Sequence, residues 1–296
     1  MLQLNKTYLI DCVQGMTEIS DNSADVVLID PPYNIGKDFG NNSDKQTMHD
    51  YLLWCDTWIK EAIRILKDDG TLYIYGFSEI LAEIFVRVEL NKRWLVWHYK
   101  NKNSAHETDW QRSHESILVG WKKDRIFNID DIRIPYTKTY LKNAVGKKRK
   151  STKGRFGSKE TIYKAHSGGA KPRDVIEVAA LAGGAGANER YSLCKTCNEI
   201  FFKSEAGNIH DLHNIIIHPT QKPMDLTYQL LKAAIKKDKT NLVVIPFAGT
   251  GSELIVCKDL NLDFIAFEIN EDYIQMINLI LNANNFQKTH DAYSFF

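Results

Sequence analysis

The sequence predicts an α/β fold built on an open sheet and interrupted by a long polar insertion. Short apolar runs of strand length alternate with segments of helical periodicity, first over residues 8–121 and again over residues 223–284. Between these two blocks, over residues 124–216, the periodicity fades and Lys, Gly, Ser and Asn dominate. A chain of 296 residues is therefore expected to form one large domain that carries an insertion.

The elements follow from apolar spacing and from the residues that interrupt it. In the first block we predict strands at 8–10, 25–29, 71–75, 93–99 and 116–121, and helices at 51–66 and 79–90. Asp68, Asp69 and Gly70 are expected to stop the first of these helices. After the insertion we predict helices at 223–237, 253–260 and 271–284, and strands at 242–247 and 263–269.

The apolar run at 26–29 ends abruptly in Asp30, Pro31, Pro32 and Tyr33. Proline has no amide hydrogen and cannot continue a central strand, so a rigid turn is expected at the carboxyl end of this strand. Ligands bind at that end of an open α/β sheet. A carboxylate and a carbonyl there can accept both hydrogens of an exocyclic amino group, while the aromatic ring stacks on the heterocycle. The turn predicts a site for an adenine or cytosine amino group, with a plain loop as the alternative.

A second turn follows the apolar run at 242–245 and contains Gly249 and Gly251. Glycine lets the backbone approach a ligand, and the start of the following helix offers N–H groups. The third glycine of the dinucleotide fingerprint is missing, so NAD is not favoured. Glu268 ends the next predicted strand, where an acidic residue can bind both hydroxyls of a ribose. These residues indicate a nucleotide-like cofactor, and a glycine-containing strand–helix turn without a ligand is the alternative.

Composition restricts the class of protein. The formal charge of +1 does not by itself indicate a nucleic-acid partner. No apolar run reaches membrane-spanning length and no signal-peptide pattern opens the chain, so we expect a cytosolic protein with no membrane partner. Five cysteines without a secretory signal predict reduced thiols rather than disulfides.

Basic side chains concentrate in one stretch of the insertion, at Lys142, Lys147, Lys148, Arg149, Lys150, Lys153 and Arg155. Of these, Lys148, Arg149, Lys150 and Arg155 are candidate contacts to nucleic-acid phosphates, a sequence-independent attraction that weakens with salt. A solvated lysine-rich loop is the alternative.

The insertion also contains a possible metal-binding pattern, in which Cys194 and Cys197 are followed by His210 and His213. Two thiolates and two imidazoles could bind a structural zinc tetrahedrally and anchor a region with few apolar residues. The two histidines are closer in sequence than is usual for zinc sites, so thiols without a metal are the alternative.

The order of these motifs resembles the beta class of DNA amino-methyltransferases, which methylate adenine N6 or cytosine N4 with S-adenosylmethionine. The matching segments are 10–12, 22–25, 30–34, 70–73, 114–118, 218–223 and 247–252. The resemblance covers about two-thirds of the chain, at 4–123 and 214–285. One position departs from the family, because Ile245 stands where an acidic residue usually precedes the Pro-Phe pair. This departure puts one cofactor contact in doubt.

The resemblance implies a circularly permuted Rossmann-like methyltransferase sheet with an inserted target-recognition region. Residues 1–123 would be the catalytic part of one methyltransferase domain and 217–296 its cofactor-binding part, with 124–216 as the recognition insertion. The catalytic residues would be Asp30, Pro31, Pro32 and Tyr33. The cofactor contacts would be Asp11, Thr220, Lys222, Pro246, Phe247, Gly249, Gly251, Ser252 and Glu268. Thr220 and Lys222 would lie near the carboxylate of the cofactor.

The activity implied is site-specific methylation of adenine N6 in double-stranded DNA, on a base flipped out of the duplex. The family associates an Asp in the first motif position with adenine, and cytosine N4 stays open as the alternative. RNA methylation is a further alternative, as is a DNA-binding relative that has lost catalysis, which Ile245 alone favours. The resemblance also allows a homodimer and a cognate restriction endonuclease as partners, in a prokaryotic or phage setting.

Overall fold

The computed structural model describes residues 2–37, 44–102, 108–149, 161–186, 189–202 and 212–282. In these residues the strands are β1 (Lys6–Leu9), β2 (Ala24–Ile29), β3 (Leu66–Gly76), β4 (Asn91–His98), β5 (His114–Trp121), β6 (Lys148–Arg149), β7 (Thr161–Ile162), β8 (Val175–Glu177), β9 (Tyr191–Cys194), β10 (Glu199–Phe202), β11 (Ile215–Ile216), β12 (Leu242–Ile245) and β13 (Asp263–Glu268). The helices are α1 (Cys12–Thr17), α2 (Met48–Ile65), α3 (Ser78–Arg87), α4 (Lys138–Ala144), α5 (Met224–Ala234), α6 (Ser252–Asp259) and α7 (Glu271–Asn282).

Eight strands form one mixed sheet in the order β1-β13-β12-β2-β3-β5-β4-β8. The five strands from β1 to β3 are parallel to one another, β5 is antiparallel to both β3 and β4, and β8 is parallel to β4. The predicted α/β class is thus confirmed. Strands from the two ends of the chain share this sheet, as the permuted arrangement requires, and the permutation itself stays a prediction.

The sheet is covered on both faces, which explains its continuous apolar runs. Val26 and Leu28 of β2 belong to one buried cluster, whereas Val27 and Ile29 belong to the other. This alternation follows from the two-residue repeat of a strand. Residues of α5, α6 and α7 pack into the first cluster, and residues of α1, α2 and α3 pack into the second. The sheet is therefore held rigidly between two layers of helices.

The first long helix ends within one residue of its predicted end, but the residues expected to stop it lie beyond that end, in a strand. Helix α2 already ends at Ile65, and Asp68, Asp69 and Gly70 lie within β3. The aspartates pair with lysines across the structure, and a Cβ on Gly70 would lie 2.9 Å from the carbonyl oxygen of Asp25. Gly70 is therefore required for close approach of β2 and β3 rather than for ending a helix.

The insertion contains more regular structure than its sequence indicates. Strand β8 extends the edge of the main sheet beside β4, β9 lies between β10 and β11 in a three-stranded sheet, and β6 pairs with β7. The proposed boundaries of the recognition region stay a prediction. Among the helices in the described part of the chain, none is both long enough and apolar enough to cross a membrane.

Candidate active site

Four neighbouring parallel strands, β1, β13, β12 and β2, deliver the candidate site residues to one rim of the sheet. Asp11 follows β1, Glu268 ends β13, the glycine turn follows β12 and Asp30 follows β2. The carboxyl ends of parallel strands meet at one edge, so residues separated by most of the chain become neighbours there.

A cavity of about 250 Å³ opens at this rim. The predicted site residues that line it are Asp11, Asp30, Pro31, Pro32, Thr220, Lys222, Pro246, Phe247, Gly249, Ser252 and Glu268. The sequence therefore identified most of this wall, although Tyr33 and Gly251 are not part of the lining.

The carboxylate of Asp30 is held from two sides. Its Oδ1 accepts a hydrogen bond from the Tyr33 hydroxyl at 2.7 Å, and its Oδ2 accepts one from Lys222 Nζ at 2.7 Å. From helix α2, the Tyr51 hydroxyl donates to the Pro32 carbonyl at 2.8 Å. The turn predicted from two prolines is thus fixed by side chains from distant parts of the sequence.

Tyr33 lies under the turn rather than in the cavity. Its side chain is only 5% exposed, and its ring packs on Phe77 with centroids 5.0 Å apart. Burial raises the pKa of the Tyr33 hydroxyl, and the nearby carboxylates of Asp30 and Glu115 raise it further. The hydroxyl therefore keeps its proton and acts as a hydrogen-bond donor to Asp30.

Lys222 is a buried cation between two carboxylates. Its ammonium lies 2.7 Å from Asp30 Oδ2 and 3.6 Å from Glu115 Oε2, and its side chain is 3% exposed. Burial alone would lower the pKa of Lys222, but the charges of Asp30 and Glu115 outweigh burial and raise it. The sequence placed Glu115 in a matching segment without giving it a role.

The glycine turn is tied directly to Glu268. Gly249 has a φ of +51°, and its amide donates to Glu268 Oε2 at 2.8 Å. Glu268 Oε1 accepts from the amides of Ile269 and Asn270, both at 2.9 Å. Burial raises the pKa of Glu268, while these amide donors oppose the rise. A Cβ on Gly249 would lie 3.0 Å from His218 Nε2, so glycine keeps the rim open.

Gly251 makes a different contribution from the one expected. It has a φ of +83° and directly precedes α6, and a Cβ there would lie 2.9 Å from Ile277 Cγ1 of α7. In this structure the residue therefore allows close packing of α7 against the turn, and its cofactor contact stays a prediction.

Glu253 is a cavity residue that the sequence analysis missed. It is buried, and its Oε2 accepts from the Ser252 hydroxyl at 2.9 Å. Burial, reinforced by the charge of Asp30, raises the pKa of Glu253 to about 7. Ile245, at the family's usual acidic position, is buried among apolar residues and does not line the cavity. The sequence contained a signal for this residue, because Glu253 is the only charged residue between Gly249 and Cys257.

Aromatic side chains line another part of the cavity, and among them the sequence analysis named only Phe247 as a cofactor contact. Trp54 lines the cavity and packs edge-on against Phe247, with centroids 5.7 Å apart. On the other side, Tyr273 packs against His218 at 4.8 Å. Burial lowers the pKa of His218 to about 3, helped by the charges of Lys222 and Arg190, so its ring is neutral. These flat faces suit a heterocyclic ligand.

The insertion contacts this site through the glycine turn. The Tyr191 hydroxyl of β9 donates to the carbonyl of Thr250 in the glycine turn at 2.8 Å. Of the predicted phosphate contacts, Lys148 is exposed on β6 and Arg149 pairs through its backbone with Thr161. Lys150 and Arg155 lie outside the described residues.

The predicted zinc ligands are partly brought together. Cys194, Cys197 and His213 each offer a ligand atom within 4.8 Å of the other two, whereas His210 lies outside the described residues.

This chain resembles known proteins in both its sequence and its fold. A model described as DNA methylase matches residues 24–279. The chain is 28% identical to the type II methyltransferase M.HpaI of Haemophilus parainfluenzae, over 90% of this chain and 70% of that protein. It is 25% identical to the DNA adenine methyltransferase YhdJ of Escherichia coli, over 90% and 79%. The structure resembles that of the cytosine-N4-specific PvuII DNA methyltransferase, with a TM-score of 0.62 and 16% identity over 97% of this chain and 90% of that one.

Proposed function

The chain belongs to the N6/N4 DNA methylase family, and we propose that it methylates the N6 amino group of adenine in double-stranded DNA with S-adenosylmethionine. The observation that carries the proposal is the rigid turn in which Asp30 and Pro31 face the rim cavity. A carboxylate beside a backbone carbonyl can accept both hydrogens of an exocyclic amino group, of adenine or of cytosine. The choice of adenine rests on Asp30, because the family resemblance associates an Asp at this position with adenine N6.

The residues of the cavity fit the proposed cofactor. The amide-bound carboxylate of Glu268 has lone pairs left for ribose hydroxyls, because each carboxylate oxygen accepts more than one hydrogen bond. Gly249 keeps the backbone open at the rim, and Trp54 and Phe247 offer apolar faces for an adenine ring. The acidic side chains Asp11 and Glu253 suit a ligand that carries positive charge. We propose that Glu253 supplies the carboxylate that Ile245 cannot.

When bound, S-adenosylmethionine would supply a methyl group on a positively charged sulfur. The target amine is a poor nucleophile because its lone pair is delocalised into the ring. By accepting hydrogen bonds from the amine, Asp30 and Pro31 would favour a tetrahedral nitrogen and direct its lone pair toward the methyl group. The nitrogen then loses a proton, which the hydrogen-bonded carboxylate of Asp30 can accept. No covalent bond to the enzyme is required.

We propose that Lys222 and Tyr33 act as positioning residues for Asp30. The Lys222 ammonium and the Tyr33 hydroxyl each engage a different oxygen of the carboxylate, which restricts its rotation before the substrate arrives. Asp30 Oδ2 can still accept from the target amine through its second lone pair. Contact of Lys222 and Thr220 with the cofactor carboxylate stays part of the proposal, as does stacking of the Tyr33 ring, which would have to leave its place on Phe77.

DNA is the proposed partner because the family acts on DNA and because exposed lysines such as Lys148 lie on the insertion. The target base would leave the duplex to reach Asp30, at a cost of a few kcal/mol. The predicted cytosolic location, homodimer and cognate endonuclease stay predictions.

The test is direct. Purified protein is incubated with methyl-labelled S-adenosylmethionine and either duplex DNA or, in a parallel reaction, RNA, and the digested nucleosides are identified by mass spectrometry. N6-methyladenine supports the proposal, whereas N4-methylcytosine alone would replace the proposed base. Label found only in RNA, or in no nucleic acid, would overturn the proposal. Asp30→Ala should abolish transfer while leaving cofactor affinity within a few-fold, because its carboxylate serves the amine rather than the cofactor.

A further inference from the structure

We propose that Cys194, Cys197 and His213 bind a structural zinc ion at the tip of the three-stranded sheet of the insertion. None of the three residues lines the rim cavity, so the proposed ion has no part in methyl transfer. The sequence pattern suggested four ligands, and the proposal rests on the three that lie within the described residues.

The spacing of the ligand atoms suits zinc. His213 Nδ1 lies 3.4 Å from Cys194 Sγ and 3.2 Å from Cys197 Sγ. Zinc–sulfur bonds of about 2.3 Å and zinc–nitrogen bonds of about 2.0 Å, in a tetrahedral arrangement, put neighbouring ligand atoms about 3.5 Å apart. A single imidazole nitrogen within hydrogen-bond distance of two thiol sulfurs is the arrangement that one cation bound by all three atoms requires.

The backbone of the β9–β10 turn holds the two cysteines close together. Strands β9 and β10 pair with Cys194 opposite Glu199, so Cys197 lies in the tight turn between them. The Cys197 amide donates to Cys194 Sγ at 3.3 Å, which fixes the position of that sulfur at the start of the turn. Asn198 follows with a φ of +56°, the left-handed conformation that redirects the chain into β10. The Cys-x-x-Cys segment is thus a preformed pair of ligands.

A third strand delivers the histidine. Strand β11 pairs with β9 so that Ile215 lies opposite Cys194, which brings His213 beside the turn. The Lys195 amide donates to the Asn214 carbonyl at 2.9 Å, and the Asn214 amide donates to the Thr196 hydroxyl at 3.2 Å. The residue that follows the histidine is therefore held against the cysteine turn by both of its backbone polar groups.

An ion here would stabilise the three-stranded sheet, which in turn contacts the glycine turn. Beyond the cysteines, Lys195 pairs with Asp272 of α7 at 2.6 Å, and Gln275 of α7 donates to Asn198 at 2.6 Å. The same strand β9 carries Tyr191, whose hydroxyl binds the glycine turn. A sheet of strands only two to four residues long gains stability when a metal crosslinks those strands.

The experiment measures metal on the intact protein after removal of loosely bound ions. We expect about one zinc per chain, and we expect cobalt-exchanged protein to show the charge-transfer and visible bands of tetrahedral thiolate coordination. Cys194→Ser and His213→Ala should lose the ion, whereas His49→Ala, an exposed histidine on α2, should keep it.

Three results would overturn the proposal: protein without zinc that shows no cobalt–thiolate band, variants that retain a full equivalent of zinc, or a Cys194–Cys197 disulfide found by mass spectrometry in metal-free protein. The cobalt spectrum of the unmutated chain decides the matter even if a variant fails to fold. Metal content is read without turnover, so its outcome is independent of the proposed methylation.

Discussion

The Tyr33 hydroxyl donates a 2.7 Å hydrogen bond to Asp30 Oδ1, so the residue expected to stack on the target base also holds the carboxylate expected to bind the amino group of that base. The ring is buried against Phe77 and does not line the cavity. The hydroxyl and the ring face therefore make separable contributions, which conservative substitutions can measure.

Tyr33→Phe should lower kcat about 10-fold, because a hydrogen bond to a charged acceptor contributes about 1.5 kcal/mol. DNA affinity should not change. Tyr33→Ala should also weaken binding of target DNA by about 1–3 kcal/mol if the ring stacks on the flipped base. Tyr228→Phe is the matched control, since Tyr228 donates to Asp259 at 2.5 Å away from the cavity lining. Full activity of Tyr33→Phe would remove the hydroxyl from the mechanism.

Lys222→Met should lower kcat about 100-fold, because it leaves the carboxylates of Asp30 and Glu115 without their shared cation. Cofactor affinity, measured by isothermal titration, should stay within about threefold of the original if the ammonium serves Asp30. A large loss of that affinity would instead support contact with the cofactor carboxylate. Lys239→Met, at an exposed position, controls for loss of one positive charge.

Glu253 should make stability and cofactor binding depend on pH. Its pKa in the fold, about 7, lies above the ordinary value of 4.5, so the fold favours the protonated form. The stability contributed by that preference is complete below about pH 4.5 and is lost as the pH rises through 7. Glu253→Gln should therefore stabilise the protein by about 1–3 kcal/mol at pH 8 and by little at pH 4.5.

The same substitution tests the proposed role of Glu253 as an anion for the cofactor. Affinity of the original protein for S-adenosylmethionine should rise between about pH 5.5 and 7.5, as the carboxyl loses its proton, and should be nearly flat in Glu253→Gln. Identical pH profiles for the two proteins would show that Glu253 does not face the bound cofactor.

Glu268→Gln should weaken S-adenosylmethionine binding at least about 10-fold, because an amide nitrogen cannot accept the hydrogen bonds that the second carboxylate oxygen accepts. The Gly249 amide would lose its acceptor, and a ribose hydroxyl would lose one as well. Titration calorimetry gives the affinity directly. Glu271→Gln, an exposed acid at the start of α7, should bind the cofactor normally. Unchanged affinity in Glu268→Gln would move the ribose elsewhere.

Neutralising Lys148 and Arg149 with Gln should weaken binding to all duplexes alike, because phosphate contacts do not read sequence. The slope of log affinity against log salt should fall by about 0.9 for each phosphate that is no longer neutralised. Methylation at saturating DNA should be largely preserved. The pair Lys60→Gln and Lys239→Gln removes the same charge from exposed positions elsewhere. Unaltered slopes would show that β6 is a solvated strand that does not contact phosphates.

Local chemistry allowed the sequence to predict the two turns that line the rim cavity. Two prolines after a strand, or two glycines before a helix, restrict or free the backbone in much the same way in any context. Asp30 and Gly249 could therefore be named in advance, and the cavity lies between them. The closeness of Cys194 and Cys197 was also predictable, because two residues three positions apart can lie in the same tight turn.

Long-range contacts were decided only by the tertiary structure. Lys222 is 192 residues from Asp30 in sequence, and Glu115 and Tyr51 come from other elements, so no local pattern links them to the turn. Whether the Tyr33 ring is buried or open depends on Phe77, which the sheet brings beneath it. The sequence determined which backbone could form the site, because turn geometry is local, while strand pairing and packing decided which side chains surround it and how they are charged.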